Sequence, residues 1–108
     1  MASNWIQLCQ AVLGASAASV YGPVPVNTQI AVHAAQAYNP GATPVVVDVF
    51  IVPTSGTAAD ATHVDRVQVS AGAAQPVAGL INQKLTPGMS LFAVGTGVTL
   101  TVSGIAVG

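Results

Sequence analysis

Asp48, Asp60, Asp65, Arg66 and Lys84 carry every formal side-chain charge of this 108-residue sequence. Hydroxyls aside, His33, His63 and the single thiol Cys9 complete the groups with obvious acid–base, metal-binding or nucleophilic chemistry. Asp60, His63, Asp65 and Arg66 fall within seven positions, a spacing open to acid–base work or ion binding. The stretch Ser55-Gly56-Thr57-Ala58-Ala59-Asp60 reads instead as a loop entering a strand. No nucleophile and no glycine-rich phosphate cradle adjoin it. The reading adopted is a polar strand with a surface or intersubunit salt bridge. A metal site needs three or four converging ligands, and the available His, Asp and Cys residues are spread over separate strands, so no metal or other cofactor is expected. Asp48 interrupts the most apolar run of the chain. A buried unpaired carboxylate is costly, so Asp48 requires a partner, with Arg66, Lys84 or a backbone donor available. Cys9 has no recognisable histidine partner and reads as a small buried apolar residue. Gly95-Thr96-Gly97 is too short for a nucleotide loop and reads as a hairpin turn. No catalytic residue is assigned, and the chain is expected not to be an enzyme.

The elements that position these residues are short strands. Turn signals recur at Gly22-Pro23 to Asn27, Asn39-Pro40-Gly41, Pro53 to Gly56, Ala71-Gly72, Pro87-Gly88 and Gly95 to Gly97. Val-, Ile- and Thr-rich runs lie between them, the pattern of an all-β sandwich or barrel. Thr28 to Tyr38 alternates, with Ile30, Val32 and Ala34 on one face. Pro44 to Val52 is apolar on both faces: Val45, Val47, Val49 and Ile51 on one side, Val46, Phe50 and Val52 on the other. A strand apolar on both faces is covered on both, and the second cover can come from another subunit. Thr62 to Ser70 places Val67 and Val69 on the side of Asp65. Pro76 to Ile81 reads as a strand anchored by Leu80, and Ser90 to Val94 sets Leu91 and Phe92 on opposite faces. Val98 to Val107 points Val98, Leu100 and Val102 one way and Thr99, Thr101 and Ser103 the other, with Gly104 permitting a bulge. The N-terminus fits two periods. Trp5, Leu8, Cys9 and Val12 lie at helical spacing, while Ile6, Leu8 and Gln10 fit a strand. The reading adopted is an extended arm over residues 1–14, then a sandwich domain over residues 15–108 with a strand near Ser19 to Gly22.

Composition narrows the class of function. Hydrophobic residues make up 52% of the sequence and charged residues 5%, with a net charge of −1. An average soluble domain is roughly 25% charged. A freely diffusing protein uses charge to stay apart from its neighbours, so scarcity of charge points to a permanent homo-oligomeric assembly. There is no basic footprint for nucleic acid. No apolar run reaches the roughly 18 residues of a spanning helix, so no membrane is expected. The start, Met1-Ala2-Ser3-Asn4-Trp5, lacks a basic leader region, so no secretory signal is expected. The lone thiol excludes an intrachain disulfide framework and suits synthesis in a reducing cytoplasm. The interface candidates are Trp5, Leu8, Val12 and Leu13 in the arm, and Val46 and Phe50 on the second face of the apolar strand.

The order of several segments resembles a family of small virion proteins of tailed bacteriophages. These are Ala11 to Gly14, Val20-Tyr21, Pro25 to Thr28, Tyr38 to Pro40, Ile51 to Gly56, Leu85 to Leu91 and Val98 to Gly104. The resemblance spans nearly the whole chain, rests on turn and strand patterns, and carries no catalytic or ligand residue. It implies a single antiparallel, jelly-roll-like β-sandwich and a location in the virus particle, after synthesis in the host cytoplasm. The partners it implies are copies of the chain and other virion proteins, the major capsid protein first. The role expected is capsid decoration, cementing the shell through repeated contacts. The alternatives are a tail, collar or head–tail junction protein and, from another class, a carbohydrate-binding β-sandwich module.

Overall fold

The computed structural model describes residues 3–108; Met1 and Ala2, the head of the expected arm, lie outside the described residues. Nine strands form: β1 (Ser3–Val12), β2 (Ala18–Tyr21), β3 (Gln29–Tyr38), β4 (Val45–Val52), β5 (His63–Val69), β6 (Ala74–Pro76), β7 (Lys84–Leu85), β8 (Ser90–Val94) and β9 (Thr99–Val107). Two single turns of 3-10 helix, Asp60–Thr62 and Ala78–Leu80, interrupt them. The larger sheet runs β1-β9-β3-β6, with β7 also on β3, and the smaller runs β2-β8-β4-β5. Every pairing is antiparallel. With the two-residue β7 set aside, the chain winds between the sheets in jelly-roll order. The strands taken first, eighth, third and sixth make one sheet, and those taken second, seventh, fourth and fifth the other. The all-β sandwich expected from the turn spacing is the fold observed.

Alternation sets which side chains meet. Val47, Val49 and Val69 of the smaller sheet, with Leu91 and Ala93, face Ile30, Val32, Leu100 and Val102 of the larger one. Val77, Leu80 and Leu85 close the side of the sandwich, all fully buried. Each such Val or Leu contributes about 1.5–3 kcal/mol before its ordering cost. Asp65, Val67 and Val69 share the inward face of β5, and Val98, Leu100 and Val102 are all buried, as their patterns require.

Four sequence expectations are corrected. First, the segment expected as an arm is a strand. Ser3–Val12 pairs with β9 along its length as the outermost strand of the larger sheet, so the sandwich begins at β1 and not at residue 15. Second, alternation along β3 breaks at His33. A bulge between Val32 and Ala34 turns Ala35 and Ala37 inward and leaves Ala34 exposed. Third, the expected strand Pro76 to Ile81 is the end of β6 followed by the 3-10 turn, because the chain leaves the sheet edge there to seat Leu80 in the core. Fourth, Gly95 to Gly97 is not a hairpin turn. It carries the chain from β8 in one sheet to β9 in the other, closed by the Val98 amide donating to the Gly95 carbonyl at 3.0 Å.

Gly104 sits at the bulge of β3. Its missing side chain lets the Ala31 carbonyl approach so closely that a β-carbon would overlap it. Both neighbours of β9 carry an extra residue next to Ser103: His33 on β3 beside the Ser103–Gly104 step, and Leu8 on β1 beside the Val102–Ser103 step. Leu8 points into the core and His33 points out.

Candidate interaction surfaces

The outer face of the smaller sheet gathers Asp48, His63 and Arg66, with Asp60 beside them. Register places Asp48 opposite Arg66 and Val94, and Phe50 opposite His63 and Phe92. The Asp48 Oδ1 accepts from Arg66 Nε at 2.7 Å and from His63 Nε2 at 2.8 Å. A carboxylate only accepts, so the His63 proton at this contact sits on Nε2. The His63 ring also meets Phe50 edge-on, with centroids 5.1 Å apart. Burial alone would raise the Asp48 carboxyl; the hydrogen bonds and charges of Arg66 and His63 outweigh that, so it lies below its ordinary value. Asp60 completes a shallow depression of about 300 Å³ with Asp48, Phe50, His63 and Arg66. The partner that the sequence demanded for Asp48 is thus Arg66, with His63 added.

The run of charges near Asp60 does not act as one cluster. Asp65 faces the opposite side of β5 and accepts from the backbone amides of Arg66 (2.8 Å) and Gly79 (2.9 Å). A β-carbon on Gly79 would come within 2.7 Å of Asp65, so this position needs glycine to tie the 3-10 turn to β5. Asp48, His63 and Arg66 form a salt-bridged surface, with no nucleophile in the depression they line. Among the described residues, no three His, Cys, Asp or Glu side chains converge to hold a metal.

The outer face of the larger sheet is different in kind. Register carries rows across β1, β9 and β3: Trp5–Ile105–Ala31, Gln7–Ser103–Ala34, Gln10–Thr101–Gln36 and Val12–Thr99–Tyr38. No charged side chain occurs in these rows. A shallow groove of about 320 Å³ runs along Thr99, Thr101 and Ser103 beside Ala34, Gln36 and Tyr38. Trp5 stands 67% exposed at one corner and meets the His33 ring edge-on at 4.9 Å. The bulge that breaks the alternation of β3 therefore delivers His33 to Trp5. Lys84 lies beyond Ala31, its Nζ donating to the Asn82 carbonyl.

The six interface candidates divide. Trp5 and Val12 (73% exposed) stand on the outer face of β1, and Val46 (46% exposed) and Phe50 (half-buried) on the outer face of β4. Leu8 and Leu13 are buried in the chain's own core, Leu8 at its bulge and Leu13 where its backbone N–H donates to the Val98 carbonyl, and offer nothing to a neighbour. Cys9 turns toward the core beside Val102, and burial pushes its thiol up, against a backbone hydrogen bond that lowers it. Sequence reading missed Asn39, which it took for a turn residue. Asn39 is buried, and its side chain donates to the Thr43 and Val69 carbonyls (2.8 and 3.0 Å) and accepts from the Gly41 amide. An asparagine before Pro-Gly was the available signal for the loop bonds, but the Val69 carbonyl that it also reaches lies on another strand.

No helix among the described residues is long and apolar enough to cross a membrane. No family model matches the chain, and no curated protein matches it. A chain from the structure titled "Bacillus endospore appendages form a novel family of disulfide-linked pili" shares the fold, with a TM-score of 0.56 at 16% identity over 97% of this chain and 85% of that one. That chain belongs to a bacterial appendage and not to a phage. At this identity the likeness establishes the all-β architecture alone.

Proposed function

We propose that this chain is a structural subunit that associates with its own copies into a permanent assembly, and that it acts by contact and not by catalysis. The observation that carries this is the pairing of an almost charge-free surface with exposed Trp5, Val12 and Val46 on ordered strands. Trp and Arg are the side chains most enriched where interfaces draw their energy. Here Trp5 stands on one sheet, and Arg66 beside Phe50 and His63 on the other. A fold shared with a pilus chain is consistent with such a subunit.

The finer reading is a virion: the subunit decorates a phage capsid and cements it through repeated weak contacts on a symmetric shell. The family resemblance of the turn and strand pattern supports it. A filament subunit is the second reading, favoured by the fold shared with the appendage chain. Disulfides alone cannot run such a filament here. One thiol per chain joins at most two chains, and Cys9 is partly buried. A carbohydrate-binding role would draw on Trp5 and Tyr38, both exposed on one uncharged face.

The test is the purified protein, alone and mixed with capsids of the phage whose genome encodes such a chain, viewed by electron microscopy. Added density at symmetric positions on the shell is the expected result. Fibres from the protein alone would favour the filament. Monomers that ignore capsids but bind a glycan array would overturn the structural reading.

A further inference from the structure

We infer that β1 is a homodimerisation edge, and that two copies join their larger sheets by pairing β1 with β1 antiparallel across a two-fold axis normal to the sheet. The inference rests on the reading of the chain as a self-associating subunit and names the contact and its register. Among the described residues β1 ends the larger sheet, with β9 on one side and no strand on the other. Natural edge strands are blunted by shortness, charge, proline or a bulge, because their free N–H and C=O groups recruit other chains. β1 is ten residues long, Ser-Asn-Trp-Ile-Gln-Leu-Cys-Gln-Ala-Val, with no charge and no proline. The other edges are protected: β2, β6 and β7 are short, and β5 carries Asp65 and Arg66.

The bulge at Leu8 is the one defence on β1, and it selects the partner. Ser3, Trp5 and Gln7 face outward before it; Gln10 and Val12 face outward after it, and Cys9 and Ala11 turn inward. The bulge has therefore shifted the alternation by one. A regular strand laid along the whole of β1 would match faces on one side of Leu8 and oppose them on the other. A second β1 carries the same shift. Antiparallel to the first, it sets Ser3 opposite Val12, Asn4 opposite Ala11, Trp5 opposite Gln10 and Ile6 opposite Cys9. Every one of those pairs shares a face; the exception is the central pair, Gln7 (outward) opposite Leu8 (inward), where the two bulges meet at the axis. A slip of one residue breaks the match, and a slip of two shortens the overlap. In this register the partly exposed Ile6 covers Cys9 of the other copy, and no charges are brought together because β1 has none. The contact is isologous, so it closes as a dimer.

Directly opposed residues in an antiparallel pair lie close enough for a disulfide, so the register can be read by cross-linking. In a Cys9→Ala background, Ser3→Cys combined with Val12→Cys should yield covalent dimers on mild oxidation. Ser3→Cys combined with Gln10→Cys, the register slipped by two, should yield few. Gln7→Lys places two ammonium groups beside the axis and should weaken dimerisation at least tenfold by sedimentation. Gln7 is exposed, so its circular dichroism spectrum should match the parent's. Oligomers that persist in Gln7→Lys and give no cross-link from the Ser3/Val12 pair would overturn the β1 contact and leave the self-association reading standing. A parent protein that stays monomeric at high concentration would overturn both.

Discussion

Asn39 and Asp48 show what single polar side chains do in a surface and core so poor in them. Asn39 is the one buried polar residue among those described, and it satisfies groups from the loop after β3 and from the end of β5. Asn39→Ala removes all three of its side-chain bonds and strands the Val69 carbonyl in the interior. An unsatisfied buried group costs about 1–3 kcal/mol, so the variant should lose about that much in urea unfolding. Asp48 makes a different case. Its carboxyl lies below the ordinary value when folded, so its contribution is complete above the unfolded value, about 4, and is lost as pH falls through the folded one. Asp48→Asn should therefore cost about 1 kcal/mol at neutral pH, in the range of partly exposed pairs. The gap to the parent should close as the pH drops below about 4. Stability curves of both proteins against pH check this. A gap that stays constant down to low pH would mean that the carboxylate charge contributes nothing.

At the scale of elements, Gly104 is the point on which the larger sheet turns. Gly104→Ala drives a β-carbon into the Ala31 backbone, and overpacking of this kind costs about 1–3 kcal/mol. Gly97→Ala meets open space and only a positive φ of 82°, so it should cost about 1 kcal/mol. Thermal denaturation of the two variants separates close approach from backbone strain. The same region explains what could be read in the sequence. The regular strands were legible: Val98 to Ser103 announces its inward face by strict alternation, and Val45 to Val52 announces a strand by an apolar run broken only at Asp48. β1 and β3 were not, because a bulge is set by the neighbouring strand and leaves no mark of its own. The bulge at Leu8 brings Leu8 and then Cys9 toward the core, and that broken alternation imitates helical spacing. The bulge at His33 sits in Ile30-Ala31-Val32-His33-Ala34, which reads as unbroken alternation. The salt bridge was legible as a need, since Asp48 lies in an apolar strand. Its His63 partner was not, because the pairing of β4 with β5 depends on register across a loop.

The whole molecule is a flattened body of 45 × 27 × 18 Å, thin enough to be two sheets and little more. Each sheet therefore has one face in the core and one against solvent or a neighbour, and the larger sheet's outer face carries no charge from β1 to β3. An assembly built on these surfaces has little Coulomb energy to screen. Raising salt to 1 M should leave it intact, whereas an interface of ion pairs would loosen; size-exclusion chromatography at low and high salt distinguishes them. The central claim is that association of copies is this chain's work. Sedimentation equilibrium of the unmodified protein over a wide range of concentration tests it most directly. The account predicts a discrete multiple of 10.7 kDa that persists on dilution. A single 10.7 kDa species at the highest concentration reached would contradict it.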